Sequence, residues 1–261
     1  MFTKIQKRFG SIVVLGLFAL AAFPSFLTAT HSWGGYHWAR TANPFTLKLG
    51  DNLTSTWDPF LVTTSSDWSL STVLDTTIVA GGTTAQLCRA TLGRVEVCNR
   101  KYGNNGWLGI AQIWVSGSHI TQGTVKMNDT YFNTATYNTT PWRNLVMCQE
   151  VGHTLGLDHQ DVDSTNPNLG TCMDYTNNPS GPPSNEHPNQ HDYDELLLIY
   201  EHLDATTTLS QTAPAAMNQL SFDDRKSWGT KVRQSQDGLT ALYELDFGGG
   251  NKVFTHVIWA Y

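Results

Sequence analysis

Apolar and polar positions along this chain change their period twice. Residues 45–50 (FTLKLG) alternate with the two-residue repeat of a half-buried strand. A short helix is predicted over 56–69, followed by a β-branched run, 71–82, that ends in a glycine pair. Residues 93–99 (GRVEVCN) alternate again, and 107–115 and 119–128 read as two more strands joined by a turn at Ser116–Ser118. From Pro141 the spacing becomes helical. Over 141–156, Leu145, Met147, Cys148, Val151 and Leu155 lie on one broad apolar side, with Pro141 suited to a first turn and Gly156 to a stop. Residues 160–190 are rich in Asn, Pro, Gly and Ser and read as an irregular loop. A second helix is predicted over 191–203, with Asp192 and Asp194 near its positive end. A polar stretch, 205–216, leads to a β-like tail over 230–259. Five or so strands, then helices, then a small β appendage make an α+β fold.

The first residues set the compartment. Lys4, Lys7 and Arg8 precede an apolar run from Ile12 to Phe23. That run is shorter than the roughly 20 residues a spanning helix needs. It reads as a secretory signal peptide over 1–29, cleaved near Ala29 or Thr30. The mature chain is then expected outside the cell, with no stable membrane association. Of 16 basic groups those three lie in the leader, so 13 remain against 22 acidic ones. A net-acidic chain without a Lys/Arg cluster does not suit nucleic acid. Export makes Cys88, Cys98, Cys148 and Cys172 expected disulfide partners. Four cysteines allow three pairings, and nearness along the chain favours Cys88–Cys98 with Cys148–Cys172.

The chemistry concentrates in residues 149–159, QEVGHTLGLDH. On a helix, Gln149 and His153 lie one turn apart on one face, with Glu150 beside it. Gly156 lets the chain turn back so that His159 meets the same point. Convergent ligands plus a free position for water make the layout of a catalytic zinc site.

This segment resembles the metzincin zinc-peptidase signature HExxHxxGxxH, with Glu150, His153, Gly156 and His159 in register. The run TCMDY (171–175) is similar to the Met-turn of that clan, and 107–115 to its substrate-binding edge strand. The resemblance spans about 36–203 and is nearest the matrixin-like branch. It implies a twisted mixed sheet of about five strands, an active-site helix and a closing C-terminal helix. The chain then divides into a leader, a metallopeptidase-like domain over 30–204 and a β-rich tail over 205–261. The implied cofactor is one catalytic Zn²⁺, with structural Ca²⁺ as a further option. The implied activity is hydrolysis of protein or peptide substrates, with Glu150 as general base and Met173 as the floor beneath the metal. Because the Met-turn lies under the active-site helix in that clan, Cys148 and Cys172 come within reach of each other.

The first ligand position departs from the pattern: Gln149 stands where the signature has His. An amide oxygen is a neutral, hard and weaker zinc donor than imidazole. Three readings follow. Gln149 ligates through Oε1; or water or another residue completes the sphere; or the site is degraded and the domain binds without cutting. The other histidines receive plainer readings. His187 and His191 read as surface or capping groups, and His31, His37, His119, His202 and His256 as isolated. Asp158, Asp161 and Asp163 read as solvated loop acids, and the tail as carrying no chemistry.

Overall fold

The computed structural model describes Met1, residues 31–210, Phe222 and residues 224–261. The expected leader, Met1 aside, and residues 211–216 of the polar stretch lie outside the described residues.

Among the described residues, nine strands and four α-helices follow one another as β1 (His37–Trp38), β2 (Phe45–Asn52), α1 (Asp58–Trp68), β3 (Leu74–Ala80), β4 (Arg94–Arg100), β5 (Trp107–Ser116), β6 (His119–Asn128), α2 (Asp129–Phe132), α3 (Thr140–Thr154), α4 (Gln190–Ile199), β7 (Thr230–Gln234), β8 (Thr240–Gly248) and β9 (Asn251–Trp259). They form one mixed sheet in the order β3-β2-β4-β6-β5-β9-β8-β7, with the two-residue β1 pairing β6. The β3-β2-β4-β6 half is parallel, and everything from β6 through β5 to β7 is antiparallel.

Among the described residues the sheet therefore has nine strands rather than about five, because the C-terminal tail adds three and the short β1 a fourth. β9 pairs antiparallel with β5 from Trp107↔Trp259 to Ser116↔Asn251. The strand expected at an edge is thereby interior, which agrees with its burial from Trp107 through Val115. An exposed apolar edge of unpaired N–H and C=O groups is costly in solution, and the apolar stretch VFTHVIW of the tail covers it.

Helix α3 packs across β5 and β6, and α1 lies against α3 and β3. Three buried indoles, Trp38, Trp57 and Trp68, fill this layer. Each donates its N–H: Trp38 to the Thr154 carbonyl, Trp57 to Asp129 Oδ1 and Trp68 to the Cys148 carbonyl. A buried indole with its polar handle satisfied is fully productive packing, and truncating one to Ala costs about 3–5 kcal/mol.

Helix α4 ends at Ile199, short of the predicted Leu203. The chain leaves it because the Asp204 amide and carboxylate are drawn to Arg40, by Asp204 N–H to the Arg40 carbonyl and by an ion pair of 3.0 Å. Both disulfides form as sequence nearness favours, Cys88–Cys98 and Cys148–Cys172, with Cα–Cα distances of 6.0 and 5.9 Å. Among the described residues no helix is long and apolar enough to cross a membrane.

Candidate metal centre

Thr139 caps α3 with its hydroxyl, accepting from the Trp142 N–H, and Pro141 occupies the first turn. The helix carries Gln149, Glu150 and His153 inward, all buried. Gly156 ends it at φ +97°, a left-handed conformation where a Cβ would meet the Tyr36 carbonyl oxygen at 2.4 Å. That turn sends Leu157 and Asp158 back toward the sheet and delivers His159 beside His153. The Leu157 carbonyl then accepts the His153 Nδ1 proton at 2.9 Å. A carbonyl can only accept, so Nδ1 carries the hydrogen and the Nε2 lone pair is left facing the centre.

The third imidazole comes from an element the sequence reading set aside. His256, read as isolated in a tail without chemistry, sits in β9 opposite Ala111 of β5 and joins His153 and His159. Their ligand atoms all lie within 4.8 Å of one another. The His256 ring lies tilted by 35° against His153 with centroids 3.7 Å apart, and His159 stands edge-on to His256 and His153 at 4.6 and 4.7 Å. All three are buried. His153 Nε2, His159 Nε2 and His256 Nδ1 have no hydrogen-bond partner. Burial holds the His153 pKa down at about 4 and pushes His159 and His256 well below the usual histidine range, with mutual repulsion adding to both. Three buried, neutral imidazoles whose ligand atoms lie within 4.8 Å of one another are a donor set of the type that suits zinc.

Glu150 is fully buried and neither carboxylate oxygen has a partner, so burial raises its pKa well above the usual carboxylate range. It lies against β5 at Gly109, where an added Cβ would fall 2.7 Å from Glu150 Oε1 and 2.6 Å from Val146 Cγ1. A bare Cα there is what lets α3 sit so close to the strand. An unpaired buried carboxylate is costly. Either a proton or a nearby cation must relieve it.

Gln149 faces the Met-turn-like segment. Its amide nitrogen donates to the Cys172 carbonyl at 2.6 Å and approaches that of Asp174 at 3.5 Å, which fixes the amide orientation; Oε1 is buried without a partner. Met173 is fully buried with its sulfur against the Cα of Gly152, and the Cys148–Cys172 disulfide joins this turn to α3.

The loop acids divide. Asp158 is not solvated: it is buried, accepts from the His159 N–H at 2.8 Å and pairs with Arg233 of β7, Nη2 to Oδ1 at 2.6 Å. Asp163 is exposed, as read from sequence. His187 is half exposed and bonds Asp67 at 2.7 Å, whereas His191 stacks on His31. Only proximity in the folded chain could have found His256, since 97 residues separate it from His159.

No protein-family model matches the chain, and no curated protein matches its sequence. Among solved structures, one described as the crystal structure of myroilysin aligns with 72% of this chain and 100% of its own. The identity is 13% and the TM-score 0.34, too slight a likeness to carry an argument.

Proposed function

We propose that this protein is a secreted zinc-dependent endopeptidase whose third metal ligand, His256, is supplied by the C-terminal strand. The observation that carries the reading is the convergence of three buried, unpartnered imidazoles on one helix, its exit turn and β9, with the unpaired Glu150 carboxylate on the same helix. The matching spacing of Glu150, His153, Gly156 and His159 supports it.

In this reading His153, His159 and His256 hold the ion, and Met173 floors the site. Zinc, when bound, would supply a Lewis acid and an acidified water. Glu150, one helical turn before His153, would accept a proton from the attacking water and return it to the leaving amine. Burial raises its pKa, which favours holding the proton between the two transfers. Gln149 anchors the Met-turn carbonyls instead of ligating. Asp158 orients the His159 backbone, and its pairing with Arg233 ties the ligand loop to the tail.

A second reading is favoured by one feature. Glu150 and His153 are completely buried, and β9 occupies the β5 edge along which an extended peptide would add as a strand. A protein locked in this arrangement would bind metal and partners without cutting. Hydrolysis of an unstructured protein substrate by the zinc-loaded chain, lost in Glu150→Gln, supports the peptidase. No cleavage by a chain shown to contain zinc leaves the binding protein.

A further inference from the structure

A second group of histidines, none of them used by the peptidase reading, gathers around Asp204. Strand β1 runs parallel to β6 in a register that sets His37 directly beside His119. The chain leaving α4 then returns to the same place. Its Asp204 N–H donates to the Arg40 carbonyl, its Thr208 N–H to the Ala39 carbonyl, and the Ala39 N–H to the Thr208 hydroxyl. These bonds bring His202 and Asp204 against the two strand histidines. Three segments far apart in sequence thus deliver three imidazoles and one carboxylate.

His37, His119 and Asp204 bring their ligand atoms within 4.8 Å of one another, and His202 adjoins the group through His37 and Asp204. Asp204 Oδ1 lies 3.1 Å from His119 Nε2, 3.5 Å from His37 Nε2 and 3.8 Å from His202 Nε2. His202 Nε2 and His37 Nε2 are 3.1 Å apart. The other carboxylate oxygen, Oδ2, is occupied by Arg40, so Asp204 presents Oδ1 alone. His37 Nδ1 donates to the Gly35 carbonyl at 2.8 Å. Its Nε2 in the neutral ring is therefore a bare lone pair, turned toward both His202 and Asp204.

With neutral rings, His119 donates to Asp204 and His202 to the His37 lone pair; with His37 protonated, its Nε2–H donates to Asp204 instead. A divalent cation among these atoms would take the place of those protons. Three imidazole nitrogens and one carboxylate oxygen make a closed four-coordinate set of the structural-zinc type, and the donor held on His37 by Gly35 is the outer bond that orients such a ligand. An ion has a way in, since the His119 and His202 side chains are 33% and 50% exposed.

We infer that His37, His119, His202 and Asp204 form a second, structural zinc site that clasps the first strand and the chain leaving α4 to the sheet. The site shares no residue with the His153 centre.

The test is metal analysis of the zinc-loaded, full-length protein after dialysis against a competing chelator, beside the double variant His119→Ala/His202→Ala. Both side chains are partly exposed, so the variant is expected to fold. Circular dichroism and equal melting of the two proteins in excess chelator check this. The expected result is one zinc fewer per chain in the variant, and a smaller rise in melting temperature on adding zinc. The reading is the difference of one ion. It holds whether the wild type carries two or, if the His153 centre proves empty, one, so failure here is separable from failure of the peptidase proposal. Equal zinc content in the two proteins overturns the inference and leaves a proton-linked His–Asp network. So does a difference in melting that is the same with and without zinc.

Discussion

Replacing His256 by Ala separates a three-imidazole centre from one built on Gln149. In the folded chain, His256 is 1% exposed and its ring lies 3.7 Å from that of His153. Disturbing an outer partner of a metal ligand already weakens binding by roughly 10–100-fold, so loss of a ligand itself should cost about 100-fold or more. With zinc in excess over both dissociation constants, a 100-fold loss removes about 2.7 kcal/mol of zinc-dependent stability. His256→Ala also leaves a cavity on the sheet face beside His153, His159 and Trp33, but that cost is present with or without metal. Gln149→Ala should behave in the opposite way. It removes the donor to Cys172, costing about 1–3 kcal/mol through an unsatisfied buried carbonyl, and leaves the zinc increment intact. Urea denaturation of wild type and both variants, each in chelator and in zinc, measures the two increments. An undiminished zinc increment in His256→Ala would refute the reasoning, as would its loss in Gln149→Ala.

Three further outcomes are expected. Glu150→Gln should retain zinc and fold while peptide hydrolysis falls by roughly 10²–10⁴-fold; a metal-binding assay beside a peptidase assay checks both. The metal-free protein should lose stability as pH falls from about 6.5 to about 4, because the unfolded chain protonates His153 over that window and the folded one does not until about 4. His153 alone contributes about 3 kcal/mol. The raised Glu150 acts with opposite sign, gaining as pH falls, so denaturation of Glu150→Gln in chelator isolates the histidine effect, and a flat profile would contradict it. Gly109→Ala should destabilise by about 1–3 kcal/mol through overpacking against Val146 and Glu150, read as a lower urea midpoint, and a neutral substitution would mean α3 is free to shift.

Much of the architecture was legible in the chain because it is written in local periods. The alternating segments 45–50 and 93–99 and the strand read over 119–128 became β2, β4 and β6, and the helical spacing from Pro141 became α3 with Gly156 at its end. His153 and His159 were readable for the same reason: a helix and one left-handed turn fix their relation within seven residues. Short separation also favoured both disulfide pairings.

Strand partners carry no such local mark. An alternating segment announces that it will pair, yet its period is identical whatever edge it joins, so the tail read as an appendage and β5 as an edge. Only the folded sheet placed β9 on β5, and with it His256 on the two signature histidines. The remaining histidines follow the same rule. His37 and His119 meet through a parallel register across 82 residues, and His202 joins them because Asp204 is pulled from the end of α4 by Arg40. An imidazole read singly is chemically mute. Its role depends on which other lone pairs share its few ångströms, and for ligands drawn from distant segments the tertiary structure alone decides that.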